Sequence, residues 1–195
     1  KEGTVEFKAG TGFENIVGCK PDEIFKKGVS LAFVPEDRLG MGLVGSLDMV
    51  DNMLIRSYKN NKGPLVDRKT PKQVCDELIE ALEIVTPGTS TPVRRLSGGN
   101  VQKVLLGREI HYNPKVLMVA YPVRGLDINS SFKIYDLLNE QKKKGVAVLF
   151  VGEDLDVLME ISDRIMVLCG GAVSGIVDPR TATKEDVGLL MVHAG

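Results

Sequence analysis

Soft-metal and nucleophilic chemistry have little to draw on in this sequence. Histidine occurs twice, at His111 and His193, far apart in the chain. Cysteine occurs three times, at Cys19, Cys75 and Cys169, an odd and scattered set without a C-x-x-C pair. The first scarcity argues against a Ser-His-Asp triad or a multi-histidine metal centre. The second argues against a disulfide framework and a structural zinc site, and fits a reducing compartment. An excess of one charge is missing too: 25 basic and 26 acidic residues leave a formal net charge of −1. That balance gives no electrostatic reason to expect nucleic acid as a partner. No apolar run approaches the roughly 20 residues that span a bilayer. The run Lys142, Lys143, Lys144 is read as cations at a helix C-terminus, with Gly145 as its cap.

What is present suffices for a core: 195 residues, 43% of them hydrophobic. Val5 and Phe7 alternate as in a short exposed strand, and residues 29–34 read as a buried strand stopped by Pro35. Leu47, Val50 and Leu54 follow at helical spacing, with Ser46 as the expected N-cap. A second helix is expected from Thr70 as cap, with Pro71 at its first position and Gln73 closing a capping box. It should bury Val74, Leu78 and Leu82 and run to about Val85. Another helix begins at Ser97. Strand and helix then alternate: strand 116–119, helix 131–144, strand 146–151, helix 155–161, and a hairpin of 164–168 and 173–177 turned by CGGA. This order predicts an α/β protein, a parallel sheet covered by helices. The core is placed at 1–45 and 112–195, with a helical lobe inserted at 46–111.

Two glycine-bearing stretches invite a functional reading. GTGFEN, Gly10 to Asn15, lacks the third glycine of a dinucleotide fingerprint and precedes no clear helix, so it reads as a loop between short strands. In RRLSGGNVQK, Ser97 stands where a helix begins and Gly98 and Gly99 allow close approach to the backbone. Free N–H groups of the first turn, the Ser97 hydroxyl and the helix dipole together suit an anion. For Ser-Gly-Gly alone, an ordinary capped helix is the better reading.

The order of features decides between them. A strand into VPEDR, a helical insert, LSGGN-x-QK, an apolar strand into YPVRGLD, then a strand into GEDL and SDRI resembles the ATP-binding cassette of ABC transporters, from about Gly28 to Leu190. The resemblance implies an ABC-type P-loop ATPase core with an inserted helical signature subdomain. It makes Leu96, Ser97, Gly98, Gly99 and Asn100 the signature loop, with Gln102 just behind it. Glu36 falls at the Q-loop position, Asp127 at the D-loop aspartate and Glu153 at the switch-histidine position. ATP and Mg2+ are the cofactors it implies for a full two-cassette assembly.

Three departures bear on function. The P-loop pattern G-x-x-x-x-G-K-[ST] is absent, so the core is incomplete and the stretch is expected to be a piece of a longer chain. Ala120 and Tyr121 stand where the Walker B aspartate and its neighbouring glutamate belong. Alanine cannot hold magnesium, and a phenol is a poor base at neutral pH. Glu36 and Glu153 place carboxylates where a glutamine and a histidine usually meet the γ-phosphate; Glu153 also joins Asp154 and Asp156 at a helix start. The expectation is therefore a degenerate site that does not hydrolyse ATP alone, beside a signature loop donated to a partner cassette.

VPEDRLGMGLVGSLDMVDNMLI, LSGGNVQK, PVRGLD and EDVGLLMVHAG look like the second cassette of two-cassette subunits of bacterial simple-sugar and nucleoside importers. Loss of the acids leans towards the nucleoside branch. The resemblance implies a peripheral place at the cytoplasmic face of the plasma membrane. It also implies membrane permease subunits docked on the helical lobe near Leu47 to Tyr58, and a substrate-binding lipoprotein as indirect partner. Three alternatives stay open. A chromosome-maintenance or DNA-repair ATPase shares an LSGG-type loop but needs heptad coiled coils, which are absent here. A non-catalytic α/β interaction module should ignore nucleotide. An NAD-dependent enzyme built on Gly10 and Gly12 leaves LSGGN unexplained. Without a P-loop strand and helix, apolar surface should be left bare and drive self-association.

Overall fold

In the computed structural model, which describes residues 3–9, 12–58 and 65–192, the chain opens with an exposed antiparallel pair. These are β1 (Glu6–Ala9) and β2 (Gly12–Asn15), with Glu6 opposite Asn15. Gly12 to Asn15 is thus a strand where a loop was expected, and Gly10 lies outside the described residues. A short helix, α1 (Pro21–Lys26), follows; the Glu23 carboxylate accepts from the Lys20 N–H at 2.8 Å.

The first of two units, Lys1–Phe150, holds the main core. β3 (Leu31–Val34) leads into one π-helical turn, Arg38–Gly42, capped by Asp37, whose carboxylate accepts from the Gly40 N–H at 2.8 Å. A β-carbon at Gly40 would run into that carboxylate, so the turn needs glycine there. α2 (Met49–Ser57) is capped by Asp48, not by Ser46: the Asp48 carboxylate accepts from the Asp51 N–H at 2.8 Å. The backbone between them is held by buried Asn52, which exchanges hydrogen bonds with the N–H and C=O of Val44 at 2.8 and 3.1 Å.

α3 (Lys69–Ala81) begins earlier than expected: Arg68 is its N-cap residue, without a side-chain bond, and Asp67, just before it, takes the place of Thr70 in holding the first turn. The Asp67 carboxylate accepts from the Lys69 and Thr70 N–H groups at 2.8 and 3.3 Å and from the Thr70 hydroxyl at 2.6 Å. Gln73 does not reach back to close a box; its amide donates forward to Glu77 at 3.2 Å. The helix stops short of Val85 because Glu83 turns to φ 49°, where its carbonyl accepts from Lys103 Nζ at 3.0 Å. Leu82 is buried as expected, while Val74 and Leu78 are half-buried.

After a 3-10 turn, Val93–Arg95, comes α4 (Gly98–His111), buried continuously from Val101 to Glu109. It lies against β3 and α5 (Ile128–Lys143), so no face of its middle turns meets water. Full burial of Val104, Leu105 and Leu106 contributes about 1.5–3 kcal/mol each. β4 (Val116–Ala120) pairs in parallel with β3, Leu31 beside Val116 and Val34 beside Val119, and the sheet order is β3, β4, β5 (Ala147–Val151).

Ala32, Val34, Leu117 and Val119 face the core, while the opposite face is partly bare: Leu31 is 50% exposed, Phe33 43% and Leu149 44%, with Val116 and Met118 half-buried. A sheet with a parallel strand pair is normally covered on both faces. The chain is accordingly expected to self-associate, with weight-average mass rising with concentration in sedimentation, and Phe33→Lys should suppress the rise. A clean monomer at high concentration contradicts this.

The second unit, Val151–Gly195, is a smaller body. It contains α6 (Leu155–Ile161), the antiparallel hairpin β6 (Ile165–Cys169) and β7 (Ala172–Val177), and α7 (Lys184–Val192). Gly170 and Gly171 turn the hairpin at φ 58° and 83°. Ile165, Val167 and Val187 form its buried centre. Among the described residues, no helix is long and apolar enough to cross a membrane.

Candidate functional site

Ser97 ends an extended step, φ −66° and ψ 157°, and caps α4. Its hydroxyl oxygen accepts from the Asn100 side-chain amide at 2.9 Å and, at 3.5 Å, from the Asn100 N–H. The Asn100 side-chain Oδ1 accepts from the Val85 N–H at 3.0 Å, so the loop after α3 fixes the same turn. Ser97 and Gly98 are exposed, and Leu96, Gly99 and Asn100 are half-buried. Gln102 does not reach the surface: it is 0% exposed and its Oε1 accepts from Arg38 Nε at 2.8 Å.

The glycines allow a second helix to come close. A β-carbon at Gly99 would lie 2.8 Å from Ser130 Oγ, and one at Gly98 would lie 3.4 Å from the Arg38 guanidinium. Ser130 in turn binds the cap of α5: its N–H and hydroxyl donate to the Asp127 carboxylate at 2.9 and 2.7 Å. Ser97, Gly98, Gly99 and Asp127 are thereby gathered at two adjoining helix N-termini, the ends where N–H groups lack helical partners.

Those Ser130 bonds hold the Asp127 carboxyl below the usual carboxylate range. The contribution is complete above the ordinary aspartate range and is lost as pH falls through the depressed value. Ser130→Ala should move the Asp127 midpoint upward, read by carboxyl carbon NMR. An unmoved midpoint contradicts the assignment.

β4 ends at half-buried Ala120, and Tyr121 turns the chain at φ 47°, uncommon for a bulky residue. The Arg124 guanidinium lies 5.9 Å from the Tyr121 ring centroid and pairs with the Glu36 carboxylate. Glu36 is therefore a charge with a partner. Ala120 offers a methyl group and Tyr121 a phenol, neither of which fits a magnesium ion. Among the described residues, no group of three His, Cys, Asp or Glu could hold a metal. Glu153 belongs to the second unit, exposed in the turn before α6. There Asp154 is the cap, accepting from the Asp156 and Val157 N–H groups at 3.0 and 3.4 Å.

Sequence reasoning missed Arg38, Arg124 and Ser130. Arg38 and Arg124 lie inside the quoted stretches VPEDR and PVRGLD, but their partners are distant in sequence, and nothing local announces them.

No family model matches the chain. It is 40% identical over 159 residues to galactose/methyl galactoside import ATP-binding proteins MglA of Shigella boydii and Escherichia coli K12. The match takes in 80% of this chain and 31% of each relative, so the chain spans about a third of their length. Among solved structures it superposes on the dimeric ATP-binding cassette MJ0796 bound to ADP and Pi, with a TM-score of 0.70 and 22% identity, over 87% of this chain and 72% of that one. It also superposes on CbiO1 of Clostridium perfringens, part of an ABC transporter complex, with a TM-score of 0.64 and 20% identity, over 86% and 65%. The fold is that of the ABC ATPases. By sequence, the chain is similar over most of its length to galactose/methyl galactoside import ATP-binding proteins.

Proposed function

We propose that this chain is a second, C-terminal cassette of an importer's ATP-binding subunit, with a degenerate nucleotide site of its own. Its Ser97–Gly99 turn and Asp127 complete the site of a partner cassette. The observation that carries this is an asymmetry. The edge formed by Ser97, Gly98 and Asp127 is exposed and ordered by its own hydrogen bonds. The end of β4 carries Ala120, and the turn after it carries Tyr121 and Arg124, the latter paired with Glu36, where an acid should hold magnesium.

On this reading, residues 1–45 and 112–195 are the ATPase core and 46–111 the helical subdomain that docks on membrane permeases. The subunit sits peripherally at the cytoplasmic face of the plasma membrane, and a substrate-binding lipoprotein delivers the cargo. The cargo is a nucleoside or a simple sugar. The lost acids favour the first, and the names of the 40%-identical relatives weigh towards the second.

The test is hydrolysis of Mg-ATP by the chain alone and mixed with an intact first cassette. The chain alone should neither hydrolyse ATP nor bind it tightly, and it should raise the partner's rate. An inert mixture favours a plain interaction module. Hydrolysis by the chain alone overturns the reading.

A further inference from the structure

The segment after β3 grips both halves of the donated edge through one side chain. Arg38 Nε donates to Gln102 Oε1 at 2.8 Å, inside α4, and a second nitrogen donates to the Arg124 carbonyl in the turn that leads to Asp127. A β-carbon on Gly98 would lie 3.4 Å from the same guanidinium, so it sits against the first turn of α4. Two residues earlier, Glu36 holds the Arg124 side chain. The 121–127 turn is thus held at Arg124 by two arms from one short segment.

Gln102 shows what the arrangement costs. It is fully buried, and its Nε2 has no hydrogen-bond partner among the described residues. A flipped carboxamide would set that N–H group against the guanidinium, donor facing donor, so Arg38 alone dictates which way the amide points. An apolar side chain would fill the site without an orphaned donor.

We propose that Arg38 is a positioning residue, fixing the N-terminus of α4 against the 121–127 turn through the Gln102 carboxamide and the Arg124 carbonyl. Its consequence for catalysis rests on the donated-loop reading above; its consequence for local order does not. Motion of residues 36–42 would then shift Ser97–Gly99 and Asp127 together.

The test is amide hydrogen exchange by NMR on the whole chain. In Arg38→Ala, the Asn100, Val101 and Leu126 amides should exchange about 10-fold faster, while Leu117 and Val119 in β4 change by less than about twofold. Arg38→Lys keeps the charge but not the fork, and should recover only part of the protection. It carries the test if Arg38→Ala fails to fold. Gln102→Met should loosen Asn100 and Val101 while sparing Leu126. Uniform acceleration at all sites, or none, overturns the proposal, and a silent Gln102→Met removes its Gln102 arm.

In the mixed assay, Arg38→Ala should lower the stimulated kcat about 10-fold and move the KM for Mg-ATP by less than about twofold. If wild-type chain and Ser97→Ala are equally inert there while the exchange pattern holds, the donated-loop reading fails and the positioning role stands.

Discussion

Ser97→Ala is expected to lower the stimulation of a partner cassette by about 100- to 1,000-fold, the loss expected when a preorganised group facing developing charge is removed. The Ser97 hydroxyl is exposed, and Asn100 holds it in place at 2.9 Å. Alanine also removes the cap of α4, worth about 1 kcal/mol. Ser97→Asp separates the two roles. Aspartate caps as well as serine, but it presents a negative charge to an incoming phosphate. The chain should therefore keep its stability and still lose the stimulation. Stimulation that survives in Ser97→Asp would show that the residue serves only as a cap.

The second large effect concerns stability. Glu109 is 2% exposed, accepts from Arg108 Nε at 2.9 Å and pairs with Arg56 at 3.0 Å. Arg108, also buried, donates its other arm to the Gly42 carbonyl at 2.7 Å. Glu109→Ala strands the Arg108 guanidinium without its counter-charge and should cost about 3–5 kcal/mol. Urea denaturation followed by tyrosine fluorescence reads the first unit, because Tyr58, Tyr112, Tyr121 and Tyr135 all precede its end at Phe150. Replacing both residues, as Arg108→Met with Glu109→Leu, should restore most of the loss, since the desolvation of both charges disappears with them. A loss under about 1 kcal/mol for Glu109→Ala would place this pair with surface ion pairs in its energetic weight.

Particular residues show how much could be read beforehand. The strands at Leu31–Val34, Val116–Ala120 and Ala147–Val151 announce themselves as apolar runs bounded by turn residues, and the hairpin by its glycine pair. α6 spans the expected Leu155–Ile161. α1 and α7 leave a fainter mark: the first buries no residue and the second only Val187, so neither shows a stripe at helical spacing. Caps are the least legible feature where several polar residues compete. Asp48 and Asp67 won over Ser46 and Thr70 because their carboxylates reach free N–H groups two or three residues ahead. α5 starts at Ile128, three residues early, because Asp127 caps it.

The candidate site divides along the same line. Ser97, Gly98 and Gly99 are legible as a helix start because a capping serine and two glycines are local signals, whereas Asp127 enters only through the resemblance and its capping of α5 is visible only in the structure. The bracing around them is not legible either. Arg38 meets Gln102 and Arg124 across 64 and 86 residues, and Arg124 meets Glu36 across 88. Only the parallel pairing of β3 and β4 brings those strand ends side by side.

Complementation tests the central claim most directly. An otherwise intact cassette, inactivated by a substitution in its own signature loop, is mixed with this chain and assayed for Mg-ATP hydrolysis. The account predicts that hydrolysis returns with the wild-type chain and stays absent with Ser97→Ala. If hydrolysis does not return, or returns equally with Ser97→Ala, the Ser97–Gly99 turn is not donated to a partner's nucleotide.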